Sequence, residues 1–315
     1  MMKLRMYQHT FNELVALEQE LLQSNNVESP TNPAPLHEYY ATVPFVLSLF
    51  KCQALYFLGK CSLDEFFKLR EFCLNQARLF ESSPCASKAE FLPCPMAELF
   101  NVIEAPRSQT WLDRADAVLI NIANHQIQQR QPLLAIQSLS ELVASRPNDC
   151  QILYLLFKVH VITNNVEHAK KVHSLISKLS GPDSVYSIFC QGFMAVIKSE
   201  WNLALDCFKR AHLLDPSNIA AINNMALCHL YGGDAMEAVN VIESFILSDP
   251  FQSASETAIY NICSIYDLIS EKTLENRRKV LQLIHDRLPD DFNITVLKLP
   301  MQLFSSPSVE RKQKQ

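Results

Sequence analysis

Histidine and cysteine are the residues of this sequence whose types could support metal chemistry, and their spacing does not favour it. His168 and His173 lie five residues apart on a predicted helix, which places their side chains about 140° apart around its axis. Two ligands of one metal ion must converge on it. The ten cysteines contain no CxxC pair, so a zinc ribbon is not predicted. We therefore expect no bound metal and no cofactor.

Glycine-dependent catalytic and phosphate-binding loops are also missing from the sequence. The chain has five glycines, whereas a chain of this length ordinarily carries roughly 20. The patterns GxGxxG, GxxxxGK[ST] and GxSxG need glycine because the backbone must bend sharply or approach a ligand closely. None of them occurs, and no local pattern indicates a catalytic triad. We expect a non-enzymatic protein with no catalytic residues.

The bulk composition excludes further classes of protein. The net charge is −5 over 315 residues, so a nucleic-acid binder with its basic excess is not expected. The longest apolar stretch, Tyr39–Gly59, contains Pro44 and Lys51, which argues against an integral membrane segment. Glu13 and Glu18 interrupt any signal-peptide core. Most cysteines lie in apolar helical runs, which is typical of a protein in the reducing cytoplasm.

An internal repeat defines the elements on which any binding residues must lie. Alanines and prolines each recur at intervals of 34 or 35 residues. The alanines are Ala135, Ala169, Ala204 and Ala238, and the prolines are Pro147, Pro182, Pro216 and Pro250. Two markers that share one period indicate successive helical hairpins of the tetratricopeptide type.

Each marker has a structural reason. The alanine is expected where the second helix of a pair crosses the first, because a larger side chain would push the two helices apart. A small residue on the first helix fits the same crossing, and Phe157 is the exception to the series Ala123, Gly192 and Ala226. The proline ends the second helix. A helix-capping residue then opens the next pair, at Asp149, Ser184, Asn218 and Ser253.

These signals predict an all-α fold, a tetratricopeptide-type helical-hairpin solenoid with an N-terminal helical extension. We expect an N-terminal helix and linker over 1–35, and a helical hairpin with a proline-containing connection over 36–110. The array, with a divergent last pair, covers 111–300, and a disordered tail covers 301–315. The individual pairs are predicted at 116–149, 150–184, 185–218 and 219–252, and the helices of the last at Tyr260–Ile269 and Leu274–Leu288.

The region before the array reads as a further hairpin. Its helices are predicted at Phe45–Leu58, which Gly59 ends, and at Leu63–Phe80, which Ser62 caps. Residues 81–110 contain four prolines and read as a connection with a short helix at Met96–Ile103.

Two segments resemble one family more closely than the general tetratricopeptide pattern. They are Asp215–Gly232, "DPSNIAAINNMALCHLYG", and Tyr260–Pro300, which opens with "YNICSIYDL" and closes with "DDFNITVLKLP". Both resemble the subunit 12 family of the trafficking protein particle (TRAPP) complex.

The resemblance implies a non-catalytic scaffold subunit of the TRAPP III tethering complex. That complex acts in transport from the endoplasmic reticulum to the Golgi and in autophagy, and it activates a Rab-family GTPase. The resemblance implies other TRAPP III subunits as partners, namely subunits 8, 11 and 13. It also implies a cytoplasmic location peripheral to the ER–Golgi intermediate compartment and the Golgi, with only indirect membrane association.

In tetratricopeptide arrays the first helix of each pair lines a groove that binds partners. By position, the predicted partner-binding residues are Tyr154, Lys158, Tyr186, Phe189, Phe193, Asn223, Leu227 and Tyr231, and Ile120 and Asn124 lie on the same predicted face. The alternative is that the aromatic residues pack as core. An alternative function is a peptide-binding adaptor or co-chaperone, which needs a basic clamp for a carboxylate. Phe189 and Phe193 occupy places where such a clamp needs Lys and Asn.

Overall fold

The computed structural model describes residues 2–24, 44–60, 63–82, 108–248, 255–285 and 292–299. The chain divides into two compact units, Met1–Asn164 and Asn165–Gln315. Across these described ranges the regular structure consists of thirteen α-helices and one short 3₁₀ segment, without a strand. The predicted all-α class is confirmed.

The first unit is a series of helices in which each packs against the next along the chain. Its helices are α1 (Met2–Ser24), α2 (Phe45–Phe57), α3 (Asp64–Ser82), α4 (Ser108–Gln128), α5 (Pro132–Ser145) and α6 (Cys150–Ile162). The predicted hairpin before the array is thus present as α2 and α3. Gly59 follows α2 with φ of +66°, a left-handed conformation that ends the helix.

The second unit repeats the hairpin. Its elements are α7 (Val166–Ser180), α8 (Val185–Ile197), α9 (Trp201–Leu214), α10 (Ile219–Tyr231), α11 (Ala235–Ser248), α12 (Glu256–Ile269), α13 (Thr273–Ile284) and the 3₁₀ segment Ile294–Leu297. Successive helices pack together, and α10 also contacts α12, the first helix of the following pair. This stacking of first helix on first helix is the tetratricopeptide arrangement.

Small residues fill the positions that the repeat predicts. All four marker alanines have no exposed surface, and Ala123 and Ala226 on first helices are equally buried. Gly192 is buried beneath the ring of Phe208. Phe157, which departs from the small-residue series, is fully buried as well.

Predicted caps begin three of the helices. Asp149 accepts hydrogen bonds from the backbone N–H groups of Gln151 and Ile152, at 2.8 and 3.3 Å. Ser184 and Asn218 each accept one, both at 3.2 Å. Side-chain oxygens at these positions satisfy N–H groups that lack a partner within the helix.

The turns inside the four pairs that precede α12 each contain one residue of positive φ. These residues are Arg130, Asn164, Ser199 and Gly233, with φ between 55° and 96°. The left-handed conformation of one residue reverses the chain between the two helices of each of these pairs.

The helix that opens the array is longer than predicted. α4 begins at Ser108, before the predicted start of the first pair at 116, because its first turn carries Trp111 into the core of the first unit. The Trp111 ring packs edge-to-face on Phe72 of α3, with centroids 5.6 Å apart. α3 in turn extends to Ser82. The helix predicted at Met96–Ile103 and the Ser62 cap lie outside the described residues.

The last pair also begins earlier than predicted. α12 starts at Glu256 rather than Tyr260, because Ala258 and Ile259 are fully buried and extend the apolar face of the helix by a turn. Its N-cap is Ser255, whereas the predicted cap Ser253 lies outside the described residues. α13 ends at Ile284, and the predicted end at Leu288 also lies outside them.

The N-terminal helix α1 packs on the first hairpin. Leu14 and Leu22 of α1 and Leu47 of α2 form a small apolar cluster. Beside it, Lys51 Nζ lies 2.6 Å from a carboxylate oxygen of Glu18. Within the residues that the structure describes, no helix combines the length and apolarity that crossing a bilayer requires.

Candidate partner-binding surface

Six of the eight predicted partner-binding residues, all except Tyr186 and Tyr231, occupy fixed positions relative to the helix caps. In α6, α8 and α10 they are the fifth and ninth residues after Asp149, Ser184 and Asn218. The same count from Ser255 in α12 gives Tyr260 and Ser264. We call these the groove positions. They are Tyr154 and Lys158, Phe189 and Phe193, Asn223 and Leu227, and Tyr260 and Ser264.

In the first unit, the groove positions hold a lysine over an aromatic ring. Tyr154 and Lys158 are both half-buried, and Lys158 Nζ lies 5.0 Å from the centroid of the Tyr154 ring. Burial lowers the pKa of Lys158 because a partly desolvated ammonium is disfavoured relative to the neutral amine. On α4, Ile120 is half-buried and Asn124 is exposed.

In the second unit, α8 contributes aromatic residues of unequal exposure. Phe189 is only 3% exposed and packs against Phe208 with ring centroids 5.7 Å apart. Phe193 is half-buried and meets Phe208 edge-to-face at 5.6 Å. Phe189 is therefore a core residue, as the alternative prediction had it. Phe193 and the half-buried Tyr186 retain surface that a partner can contact.

The groove positions of α10 are partly occupied by a contact with α12. Asn261 Nδ2 donates a hydrogen bond of 2.7 Å to Asn223 Oδ1. This bond joins the two neighbouring first helices. It uses the Asn223 oxygen, so the amide nitrogen of Asn223 can still donate a hydrogen bond to another protein. Leu227 is half-buried and supplies an apolar surface on the same helix.

Tyr231 is the most exposed of the predicted residues, at 64%. Its ring stacks on Trp201 at the start of α9, with centroids 5.0 Å apart and planes 19° apart. Stacking holds an exposed aromatic ring in one orientation, which reduces the entropy that binding would cost. Sequence reasoning did not identify Trp201, because the two residues lie on different helices.

Tyr260 and Ser264, which sequence reasoning also missed, are both contacted by Lys298, although Tyr260 remains 48% exposed. Lys298 Nζ lies 4.5 Å from the centroid of the Tyr260 ring and donates a 2.7 Å hydrogen bond to Ser264 Oγ. Phe292 and Leu297, on either side of the 3₁₀ segment's start, are buried in the apolar cluster of the last hairpin together with Ile262. The signal that identifies the two groove positions is the cap at Ser255, because counting from it gives the register of the earlier pairs.

A second surface feature of the second unit is an open groove among α9, α10 and α11. It encloses about 740 Å³ and is lined by apolar Ile222, Met225 and Phe245, with His212 and Glu237 among its polar residues. An apolar floor with polar groups around it suits a side chain or a segment of another protein.

The described cysteines do not form a reactive site. Six of the seven are buried, and Cys150 is partly so. Burial raises the pKa of Cys190 to about 12 and that of Cys228 to about 11, so the nucleophilic thiolate is scarce at neutral pH. Over the described ranges, no three His, Cys, Asp or Glu side chains group to hold a metal ion.

Among known proteins, the chain is similar in sequence to one protein from two organisms. No family model matches the chain. Trafficking protein particle complex subunit 12 of Mus musculus is 22% identical over 287 residues, which cover 85% of this chain and 35% of the mouse protein. The Homo sapiens subunit 12 is 22% identical over 284 residues, covering 85% of this chain and 38% of the human protein. This chain is similar to subunit 12 of the trafficking protein particle complex. It spans just over a third of the length of these relatives.

Solved tetratricopeptide proteins are also similar to the chain. A tetratricopeptide repeat protein from Parabacteroides merdae aligns over 92% of this chain and 96% of its own, at 12% identity and a TM-score of 0.47. A thermophilic tetratricopeptide protein from Thermus thermophilus aligns over 53% of this chain and 91% of its own, at 12% identity and a TM-score of 0.45.

Proposed function

We propose that this chain is a non-catalytic scaffold subunit of the TRAPP III tethering complex, which acts in transport from the endoplasmic reticulum to the Golgi and in autophagy. The observation that carries the proposal is the similarity to subunit 12 over 85% of the chain. The helical hairpins support the proposal as well, because their exposed surfaces are of the kind that binds proteins. The partners are other TRAPP III subunits, with subunits 8, 11 and 13 as the expected contacts.

The binding residues of the second unit follow from their exposure. Tyr186, Phe193, Asn223, Leu227 and Tyr231 keep surface or polar atoms for a partner, whereas Phe189 supports them from the core. Apolar and aromatic side chains that are already held by their neighbours suit an apolar helix or extended segment. In the first unit, Tyr154 and Lys158 form a separate contact point.

The chain works in the cytoplasm, peripheral to the ER–Golgi intermediate compartment and the Golgi, and it reaches membranes through the complex. The groove positions belong to an array over 111–300 that carries the contacts, preceded by a helical extension.

The experiment is affinity purification of the tagged chain from its own cells, followed by mass spectrometry. Recovery of TRAPP III subunits in stoichiometric amounts is the expected result. Recovery of a chaperone without any tethering subunit would instead support the adaptor function. A clean purification that contains neither would overturn the scaffold proposal.

A further inference from the structure

The chain places an ammonium group over a tyrosine ring at two equivalent positions of its helical pairs. In the first unit, Lys158 Nζ lies 5.0 Å from the centroid of the Tyr154 ring. In the second unit, Lys298 Nζ lies 4.5 Å from the centroid of the Tyr260 ring. Each tyrosine is the fifth residue after the N-cap of its helix. The same kind of lysine–tyrosine contact therefore occurs twice. The tyrosines occupy equivalent positions, whereas Lys158 lies on α6 and Lys298 follows the 3₁₀ segment.

The second of these sites is complete. Lys298 Nζ donates a hydrogen bond of 2.7 Å to Ser264 Oγ, and it lies 3.5 Å from a carboxylate oxygen of Asp267. Ser264 and Asp267 are the ninth and twelfth residues after the cap of α12. The cation thus has a ring, a hydroxyl group and a carboxylate around it, which together compensate its partial loss of water.

The first site lacks the carboxylate. Lys158 is itself the ninth residue after the cap of α6, and the twelfth is Val161. Among the residues that the structure describes, Lys158 forms no ion pair, and its interaction is with the Tyr154 ring. Its side chain is nevertheless half-buried, and that burial alone lowers the pKa of the ammonium. A partly desolvated cation without an anion gains more from a carboxylate than an exposed lysine does.

We propose that the Lys158–Tyr154 pair is the docking point for an acidic side chain, Asp or Glu, of a partner protein. The incoming carboxylate takes the place beside Lys158 that Asp267 takes beside Lys298. A net charge of −5 gives the chain no general attraction for acidic partners, so the contact selects one residue by local charge complementarity. The proposal rests on the proposed scaffold function, because it names the chemistry of one partner contact.

The carboxylate-binding capacity of Lys158 is testable without the complex. Lysines of the full chain are labelled by reductive ¹³C-methylation and followed by NMR during titration with a hexaglutamate peptide, and in a second series with inorganic phosphate. Lys178, which is exposed, serves as the control within the same molecule. We expect the peptide to shift the Lys158 resonance and to raise its pKa more than that of Lys178. Equal responses of the two lysines, or a stronger response of Lys158 to phosphate, would overturn the proposal.

The contact in the assembly is tested with matched variants. Lys158→Gln should weaken binding of the chain to its purified partner by roughly tenfold, as expected for loss of one charged hydrogen bond. Lys178→Gln should leave the affinity unchanged, and an unchanged melting temperature shows that both variants are folded. Unaltered affinity of Lys158→Gln would contradict the proposal. If neither the wild type nor any variant recovers a tethering subunit, the proposed scaffold function is wrong. The peptide titration then still decides whether Lys158 binds a carboxylate.

Discussion

The ring of Phe208 occupies the space that a β-carbon at residue 192 would need. A β-carbon built on Gly192 lies 2.8 Å from both Cε1 and Cζ of that ring. Phe208 has no exposed surface, and its ring also packs against Phe189 and Phe193, so it cannot swing aside. The crossing of α8 and α9 therefore depends on a glycine in one helix and a large aromatic ring in the other.

Gly192→Ala should destabilise the protein, by about 1–3 kcal/mol for an overpacked core. In an exposed helix the same change stabilises by about 1 kcal/mol, because alanine loses less backbone entropy on folding. The sign of the effect is thus diagnostic. Chemical denaturation measures it, and a gain in the free energy of unfolding would show that the helices are further apart than described.

Ala204→Leu should overpack the same helical pair, with a cost of about 1–3 kcal/mol. Ala204 is fully buried on α9, so three additional carbon atoms have no space to occupy. Ala220, exposed on α10, provides the control, since leucine there meets solvent. Thermal unfolding should separate the two variants by several degrees. Equal melting temperatures would show that the register of the repeat is wrong.

The stability of the chain should fall as the pH drops below 6.5. Burial lowers the pKa values of His125 and His173 from the ordinary 6.5. Well above pH 6.5 both histidines are neutral in the folded and unfolded states, so they contribute no pH dependence there. Below it, the unfolded chain binds protons that the folded chain resists, and folding becomes less favourable until the pH passes the folded pKa values. Denaturation at pH 7 and pH 5.5 measures the difference.

Replacing His125 should remove part of the loss of folding stability at low pH. His125 is 4% exposed, and its ring centroid lies 3.9 Å from that of Tyr56, so His125→Phe keeps a ring in an aromatic environment and cannot take a proton. His9→Phe, on the exposed face of α1, is the control and should keep the full pH dependence. An identical slope in the two variants would exclude His125 as a source of the effect.

Leu297→Ala should cost about 2–5 kcal/mol, the range for truncating a fully buried leucine. Leu297 has no exposed surface and packs in the cluster of the last hairpin with Ile262 and Ile265. The exposed Leu268, at 71%, is the matched control, and Leu268→Ala should change stability by less than about 0.5 kcal/mol. Equal losses for the two variants would show that residues 292–299 do not pack on α12.

Much of the architecture follows from features that act over a few residues. Asp149, Ser184 and Asn218 cap helices because a side-chain oxygen can reach backbone N–H groups two or three residues ahead. The buried alanines were equally predictable, since they recur with the period of the helical pair. Such features can be predicted because they depend on residues that are close in the sequence and recur with the repeat.

The burial of individual groove residues could not be predicted in the same way. Phe189 and Phe193 occupy groove positions of one helix and both pack on the ring of Phe208, yet Phe189 is 3% exposed whereas Phe193 is half-buried. Lys298 lies over the ring of Tyr260 although the two residues are far apart in the sequence. No short sequence pattern carries such contacts, because they depend on how the helices meet. The start of α12 was misplaced for a related reason, because the burial of Ala258 and Ile259 that extends the helix depends on packing within the second unit.

In the proposed function, this chain joins tethering subunits through the groove positions of its second unit. The most direct measurement is quantitative affinity purification, with mass spectrometry, of the wild-type chain, of Leu227→Glu and of Leu203→Glu. Leu227 is a half-buried groove residue, and Leu203 is 53% exposed on α9, outside the groove positions. We expect TRAPP III subunits to accompany the wild type and Leu203→Glu and to be depleted at least tenfold from Leu227→Glu, with all three chains folded. Undiminished recovery with Leu227→Glu, or no tethering subunit with the wild type, would contradict it.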